Sequence, residues 1–143
     1  MTEITQTEPL TPAKSKLLPG LTGEATGEVT PANTASALGS GDVPVFATPA
    51  MIELMEAAAV DALRDVLEAG QTTVGVYLDV QHLAATPVGM KVHAEARLMA
   101  VEGRRLTFRV SASDESEPIG VGAHQRVIVD QERFLSRTRA KQH

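Results

Sequence analysis

Three polar residues stand at positions where the surrounding pattern calls for apolar or chemically silent ones: Thr48, Glu56 and His82. Thr48 precedes a proline in Val45-Phe-Ala-Thr-Pro-Ala-Met51, where a helix should begin. Glu56 falls among Ile52, Val60, Leu63 and Leu67 on that helix, away from the arc that carries Glu53, Asp61, Arg64, Asp65 and Glu68. His82 ends the alternating strand pattern Gly75-Val-Tyr-Leu-Asp-Val-Gln-His82. A hydroxyl, a carboxylate and an imidazole brought together are the working parts of acyl-transfer chemistry.

Each residue also has a plainer duty. Thr48 suits a helix N-cap, worth about 1 kcal/mol. A capping oxygen is a poor nucleophile, so orienting substrate or water is the role compatible with both. A carboxylate in an apolar sector loses hydration unless it is paired or protonated, and burial of that kind raises a carboxylate's affinity for its proton. Pairing with an arginine across a subunit interface is the structural alternative for Glu56. A lone histidine at the end of an apolar row is commonly a hydrogen-bonded core residue. Its interest is topological, because the apolar face of its strand must pack on the helix that carries Glu56. Gly75 weakens a Val-rich strand, so it marks either a bulge or a close approach by a ligand whose carbonyl its amide would polarise.

These residues need a scaffold. Thr48 as cap and Pro49 at the first helical position start a helix that should run to about Glu68, with Gly70 as its stop. Met51, Met55, Ala58, Ala59, Ala62, Leu63 and Val66 form its buried side. Residues 21–30 alternate with period two and predict a first strand. Residues 31–43 read as a loop, either a lid or a wall over a binding site. After the helix, alternation places Val74, Val76, Leu78, Val80 and His82 on one face of a strand. Three further strands follow, the last carrying Ile119, Val121, Ala123, Gln125, Val127 and Val129 on one face. Short connections predict an antiparallel meander of these four strands. One apolar helix and one sheet with a single apolar face are both buried if the sheet wraps the helix, the α+β hotdog arrangement. An open sheet of this size exposes edges, so a two-fold homodimer is expected.

Composition narrows the partners. The chain has 143 residues, 43% of them apolar and 3% aromatic, which fits a single domain over residues 17–143 behind a mobile tail at residues 1–16. The absence of cysteine excludes a disulfide framework, a zinc–thiolate site and a thiol nucleophile. A net charge of −5 argues against nucleic-acid binding. No apolar run is long enough for a membrane span, and no secretory signal pattern opens the chain, so a cytoplasmic protein is expected. No histidine and carboxylate spacing suits a metal, and no cofactor is expected.

Four segments follow one another in register: residues 45–56, residues 74–89, Val101-Glu-Gly-Arg-Arg-Leu106, and Ile119-Gly-Val-Gly-Ala-His-Gln-Arg126. Together they resemble the hotdog-fold thioesterases related to fluoroacetyl-CoA thioesterase, over roughly residues 29–134. The resemblance implies hydrolysis of an acyl-CoA thioester with Thr48, Glu56 and His82 as the catalytic set and Gly75 at the thioester. It departs at the lid. The fluoroacetyl-specific enzyme has aromatic residues there, and this chain has none between Pro31 and Val45. A small acyl group is the expected substrate. A non-catalytic acyl-binding dimer is the alternative, with Glu56 and His82 as a structural pair. An enoyl hydratase would need an Asp–His pairing that is not evident. His124 and Arg126 read as interface or surface residues, His93 as solvated, and Arg104-Arg105 as a turn that could meet CoA phosphates.

Overall fold

Small residues decide how the helix meets the sheet. In the computed structural model, which describes residues 16–142, α2 (Thr48–Ala62) buries Ala50, Met51, Met55, Ala58, Ala59 and Ala62, close to the face expected from its periodicity. It packs chiefly on β1 (Thr22–Glu28) and β3 (Lys91–Glu102). At Gly23 a Cβ would run into the backbone of Ala58 and Ala62, so only glycine lets strand and helix approach so closely. The helix ends earlier than the predicted Glu68. Leu63 and Val66 donate backbone bonds three residues back, to Val60 and Leu63, tightening the chain into turns that keep both side chains buried. Gly70 then turns the chain with a positive φ of 83°.

The five strands are completed by β2 (Gln71–His82), β4 (Arg105–Asp114) and β5 (Pro118–Asp130). They form one antiparallel sheet in the order β1-β3-β4-β5-β2, curved over α2 as the hotdog arrangement requires. The expected four-strand meander holds only for β3, β4 and β5. β2 pairs with β5 instead, on the opposite side of the sheet from β3. Residues 83–90 are longer than a hairpin loop of about two to five residues. They recross the sheet through a Val45–Pro87 bridge and reciprocal bonds that join Val29 to Gly89 and Met90.

Two faces differ from expectation. On β5, cross-strand pairing sets Gly120, Gly122, His124 and Arg126 opposite the buried Ala112, Val110, Phe108 and Leu106, so the glycine-and-polar face looks inward. A Cβ at Gly120 would lie 2.5 Å from Met51 Sδ, which explains why small residues are needed there. On β2, a bulge between Gly75 and Tyr77 shifts the alternation by one residue. Before it Thr73 and Gly75 face inward, paired with Ile128 and Arg126; after it Leu78, Val80 and His82 do. Val74 therefore lies on the other face from His82, and Gly75 shares His82's face despite the odd spacing.

Residues 31–43 are more ordered than a loop. A 3₁₀ turn (Pro31–Asn33) with a Thr30 capping box leads into α1 (Ala35–Leu38), which Gly39 ends in the left-handed region. Bonds from the Ala35 and Ser36 amides to the Val45 and Val43 carbonyls hold the segment as a folded wall. The chain closes with α3 (Gln131–Arg139), an exposed helix that the strand pattern did not reveal. The tail expected over residues 1–16 lies, except for Lys16, outside the described residues. No helix among the described residues is long and apolar enough to cross a membrane.

Candidate active site

The predicted cap is not a cap. Ala47 occupies the N-cap position without a side-chain bond, and Thr48 and Pro49 are the first helical residues. The Thr48 hydroxyl is thereby free of backbone duty and lies 2.7 Å from His82 Nδ1. Burial holds the His82 pKa below its ordinary value, with the backbone at Ala84 acting weakly in the opposite sense, so the ring is neutral at pH 7. Its Nε2 is buried and makes no hydrogen bond of good geometry. A neutral imidazole can accept from the Thr48 hydroxyl at Nδ1, and in that tautomer its proton sits on Nε2. Beside this pair opens a cavity of about 410 Å³, walled by Ala35, Ser40, Gly41 and Val43 from residues 31–43, the capping segment, by Phe46 just beyond it, and by Leu83.

Two helical turns further on, Glu56 sits over Gly75. Its Oε2 is 3.4 Å from Arg126 Nη1 and 3.9 Å from His124 Nε2. The carboxylate is not enclosed as its apolar sector suggested: 38% of its side chain is exposed, because α2 lies towards β1 and β3 and leaves β2 little covered. An arginine partner, rather than an apolar enclosure, meets the carboxylate. A Cβ at position 75 would fall 2.7 Å from Glu56 Oε2, so glycine keeps the space before the carboxylate open.

His124 and Arg126, read from sequence as interface or surface residues, are the buried floor of this group, at 0% and 7% exposure. Arg126 donates through Nε to Thr73 Oγ1 and through Nη2 to the Thr73 carbonyl, at 2.9 and 3.1 Å. His124 Nδ1 lies 2.9 Å from the Tyr77 carbonyl and Nε2 lies 3.1 Å from Arg126 Nη1. The carbonyl can only accept and the guanidinium only donate, which assigns a neutral ring protonated at Nδ1. The available signal was the two glycines on the same face of β5, which mark that face as crowded.

Burial is the largest cause that depresses the His124 pKa; the Arg126 charge adds to it, while the Tyr77 carbonyl and Glu56 oppose it. His82 is depressed in the same direction. Below about pH 6.5 the unfolded chain binds these protons more readily than the folded one. Stability should be complete above that value and decline as pH falls through it towards the lowered folded values. Chemical denaturation between about pH 7.5 and 5.5 should show the decline, and His124→Asn should flatten it.

Within one protomer, then, Thr48 meets His82 and Glu56 meets Gly75, but the pairs are separated. Eight residues of helix divide Thr48 from Glu56, about 12 Å along the axis. Among the other residues considered, His93 Nε2 pairs with Glu24 Oε1 at 2.6 Å, and Arg105 is engaged by Gln125. No group of three or more metal-ligating side chains occurs among the described residues.

Residues 29–132 match the family described as fluoroacetyl-CoA-specific thioesterase. The chain is 46% identical over 97 residues to the fluoroacetyl-CoA thioesterase of Streptantibioticus cattleyicolor, covering 68% of this chain and 70% of that protein. A solved structure of fluoroacetyl-CoA thioesterase superposes with a TM-score of 0.82 at 38% identity, over 89% of this chain and 98% of that one. A thioesterase superfamily member from Thermus thermophilus does so with a TM-score of 0.80 at 33% identity, over 87% and 92%.

Proposed function

The chain belongs to the fluoroacetyl-CoA-specific thioesterase family, and from that premise we propose how its own residues cleave the thioester of a short acyl-CoA. The activity is acyl-CoA thioester hydrolysis. Water adds its oxygen to the acyl carbon, the carbon–sulfur bond breaks, and the products are a carboxylate and CoA thiol. Glu56 delivers that oxygen, by attack on the acyl carbon or through a water it deprotonates. Gly75 leaves room for the thioester, and its amide at the bulge polarises the carbonyl. His82, oriented by Thr48, gives its Nε2 proton to the departing thiolate. Arg126 holds the carboxylate in register. The observation that carries this assignment is Glu56 Oε2 lying 2.7 Å from where a Cβ on residue 75 would stand, so that glycine brings the backbone at the bulge directly before the carboxylate.

The separation of the two pairs is bridged by a second copy of the chain. β2 is a twelve-residue edge strand without lysine or proline, and it exposes Val76, Tyr77 and Leu78 at 46%, 48% and 40%. Antiparallel pairing of two β2 edges about a two-fold near Leu78 extends the sheet. Once the bulge is taken up, the partner's His82 comes to the inward face beside Gly75, and the partner's Thr48 travels with it. Each active site of the homodimer is then built from Glu56 and Gly75 of one protomer with Thr48 and His82 of the other.

The cavity beside Thr48 and His82 receives the acyl group. Ala35, Ser40, Gly41 and Val43 give it small and aliphatic walls, and its one aromatic, Phe46, is buried in the core. Short straight and branched aliphatic groups suit it. Nothing aromatic in the capping segment is available to favour fluoroacetyl over acetyl. Thiol release from acetyl-, fluoroacetyl-, butyryl-, isobutyryl- and benzoyl-CoA tests this. Turnover should concentrate in the short aliphatic thioesters, with fluoroacetyl and acetyl differing by less than about tenfold, or 1.4 kcal/mol. Binding of these compounds without thiol release would instead identify a non-catalytic acyl-CoA-binding dimer.

A further inference from the structure

The β3–β4 hairpin and the C-terminal helix carry charges that the hydrolytic chemistry leaves unused. Arg104, Arg133 and Arg137 line a cavity of about 290 Å³ together with Phe134, Ile128 and Asp130. Three guanidiniums face one carboxylate there, on a chain whose net charge is −5. That carboxylate, on Asp130, is 3.8 Å from Arg133 Nη1 in an exposed pair, which ties the arginine only weakly. Arg104 Nη1 donates to the Ile128 carbonyl at 3.2 Å, fixing the stem and leaving its other N–H groups to project. Phe134 is 38% exposed, whereas Phe46 and Phe108 are buried. Phe134 thus stands at the surface beside a cluster of arginines.

The cavity lies at a useful distance from the chemistry. β5 runs directly from Arg126, which touches Glu56, to Asp130, where α3 begins. Four residues of strand span about 13 Å. A thioester at Gly75 whose thiol arm follows the strand would bring the far end of the molecule to this arginine cluster. The required ligand is polyanionic, carries a planar ring for Phe134, and joins the reacting sulfur through an extended linker.

We propose that this cavity seats the 3′-phosphorylated ADP end of CoA, with Arg104, Arg133 and Arg137 on its phosphates and Phe134 against the adenine. The assignment rests on the thioesterase function and adds to it the element that distinguishes CoA from shorter thiol carriers. Guanidinium–phosphate bonds are charge-assisted and discriminate strongly against a carrier without phosphate. The three arginines lie on an exposed hairpin and helix, so their replacement leaves the core intact.

The test compares one acyl group on CoA, on 3′-dephospho-CoA and on N-acetylcysteamine, with the full-length protein and its Arg133→Ala/Arg137→Ala variant. The variant should raise KM for the acyl-CoA about tenfold or more at unchanged kcat. It should leave kcat/KM for the N-acetylcysteamine thioester unaltered, and the 3′-dephospho substrate should fall between. Adenosine 3′,5′-bisphosphate should compete with the parent's substrate, and Phe134→Ala should weaken that competition. An unchanged KM for acyl-CoA would overturn the proposal, as would an equal loss with both carriers, which would make the arginines structural. If neither carrier is cleaved by the parent, the hydrolytic assignment itself fails. Calorimetric titration with adenosine 3′,5′-bisphosphate then decides the phosphate site separately: binding lost in the double variant supports it, and no binding to the parent refutes it.

Discussion

Glu56→Gln should lower kcat by at least about 10²–10⁴ while KM changes by less than about twofold. The amide is nearly isosteric with the carboxylate and can still accept from Arg126 Nη1, so the site keeps its shape. It can neither attack the acyl carbon effectively nor take a proton from water, so the loss falls on the chemical step. Folding should survive the change. The carboxylate is partly exposed, and Arg126 retains its bonds to Thr73 and His124. Steady-state kinetics with the best substrate of the acyl-CoA panel, alongside thermal denaturation, checks both statements. A variant that loses stability yet turns over at the parental rate would reduce Glu56 to a structural partner of Arg126. Single-turnover hydrolysis in H₂¹⁸O then separates the two ways in which Glu56 could deliver oxygen. Label in the enzyme carboxylate identifies direct attack, with the mixed anhydride opened by water at the Glu56 carbonyl. Trapping of that anhydride by hydroxylamine identifies attack when water opens it at the acyl carbon, and label in the product acid with no trapped anhydride identifies base catalysis.

Two inactive variants should restore one another. Under the composite site, Glu56→Gln and His82→Ala each disable both sites of their own homodimer, and His82→Ala should also cost about 10²–10⁴ in kcat. When the two are mixed and allowed to exchange subunits, a heterodimer pairs the intact Glu56 of one chain with the intact His82 of the other. One of its two sites is then complete. Random assortment makes half the molecules heterodimers, so the mixture should recover about a quarter of parental activity. Size-exclusion chromatography with light scattering establishes the dimer, and activity followed after mixing reports the exchange. If each protomer held a self-sufficient site, mixing would restore nothing. The result therefore distinguishes a shared site from a dimer that is merely convenient for stability.

The local logic of the chain was legible without coordinates. The buried face of α2 and the alternation that marks the strands depend on periodicity and turn chemistry, which act over a few residues. So does the peculiarity of Thr48, Glu56, Gly75 and His82, since a residue that breaks a pattern is visible within it. Strand pairing was not legible, because a connection such as residues 83–90 has no propensity that declares whether it turns back or crosses the sheet. Gly75 offered a bulge as one of two readings, and the bulge found there alone sets Gly75 and His82 on one face. His124 and Arg126 were misplaced because their charges read as surface until the sheet order packed Phe108 and Leu106 beside them.

The sequence by itself determined which residues, Thr48, Glu56, Gly75 and His82, break the pattern of the helix and strand that carry them. Only the tertiary structure decided that Thr48 meets His82 rather than capping the helix, that Glu56 pairs with a buried arginine, and that these contacts form two separate groups within one protomer. Those facts are long-range: they follow from which surfaces the whole chain can bury at once, a quantity no local window contains.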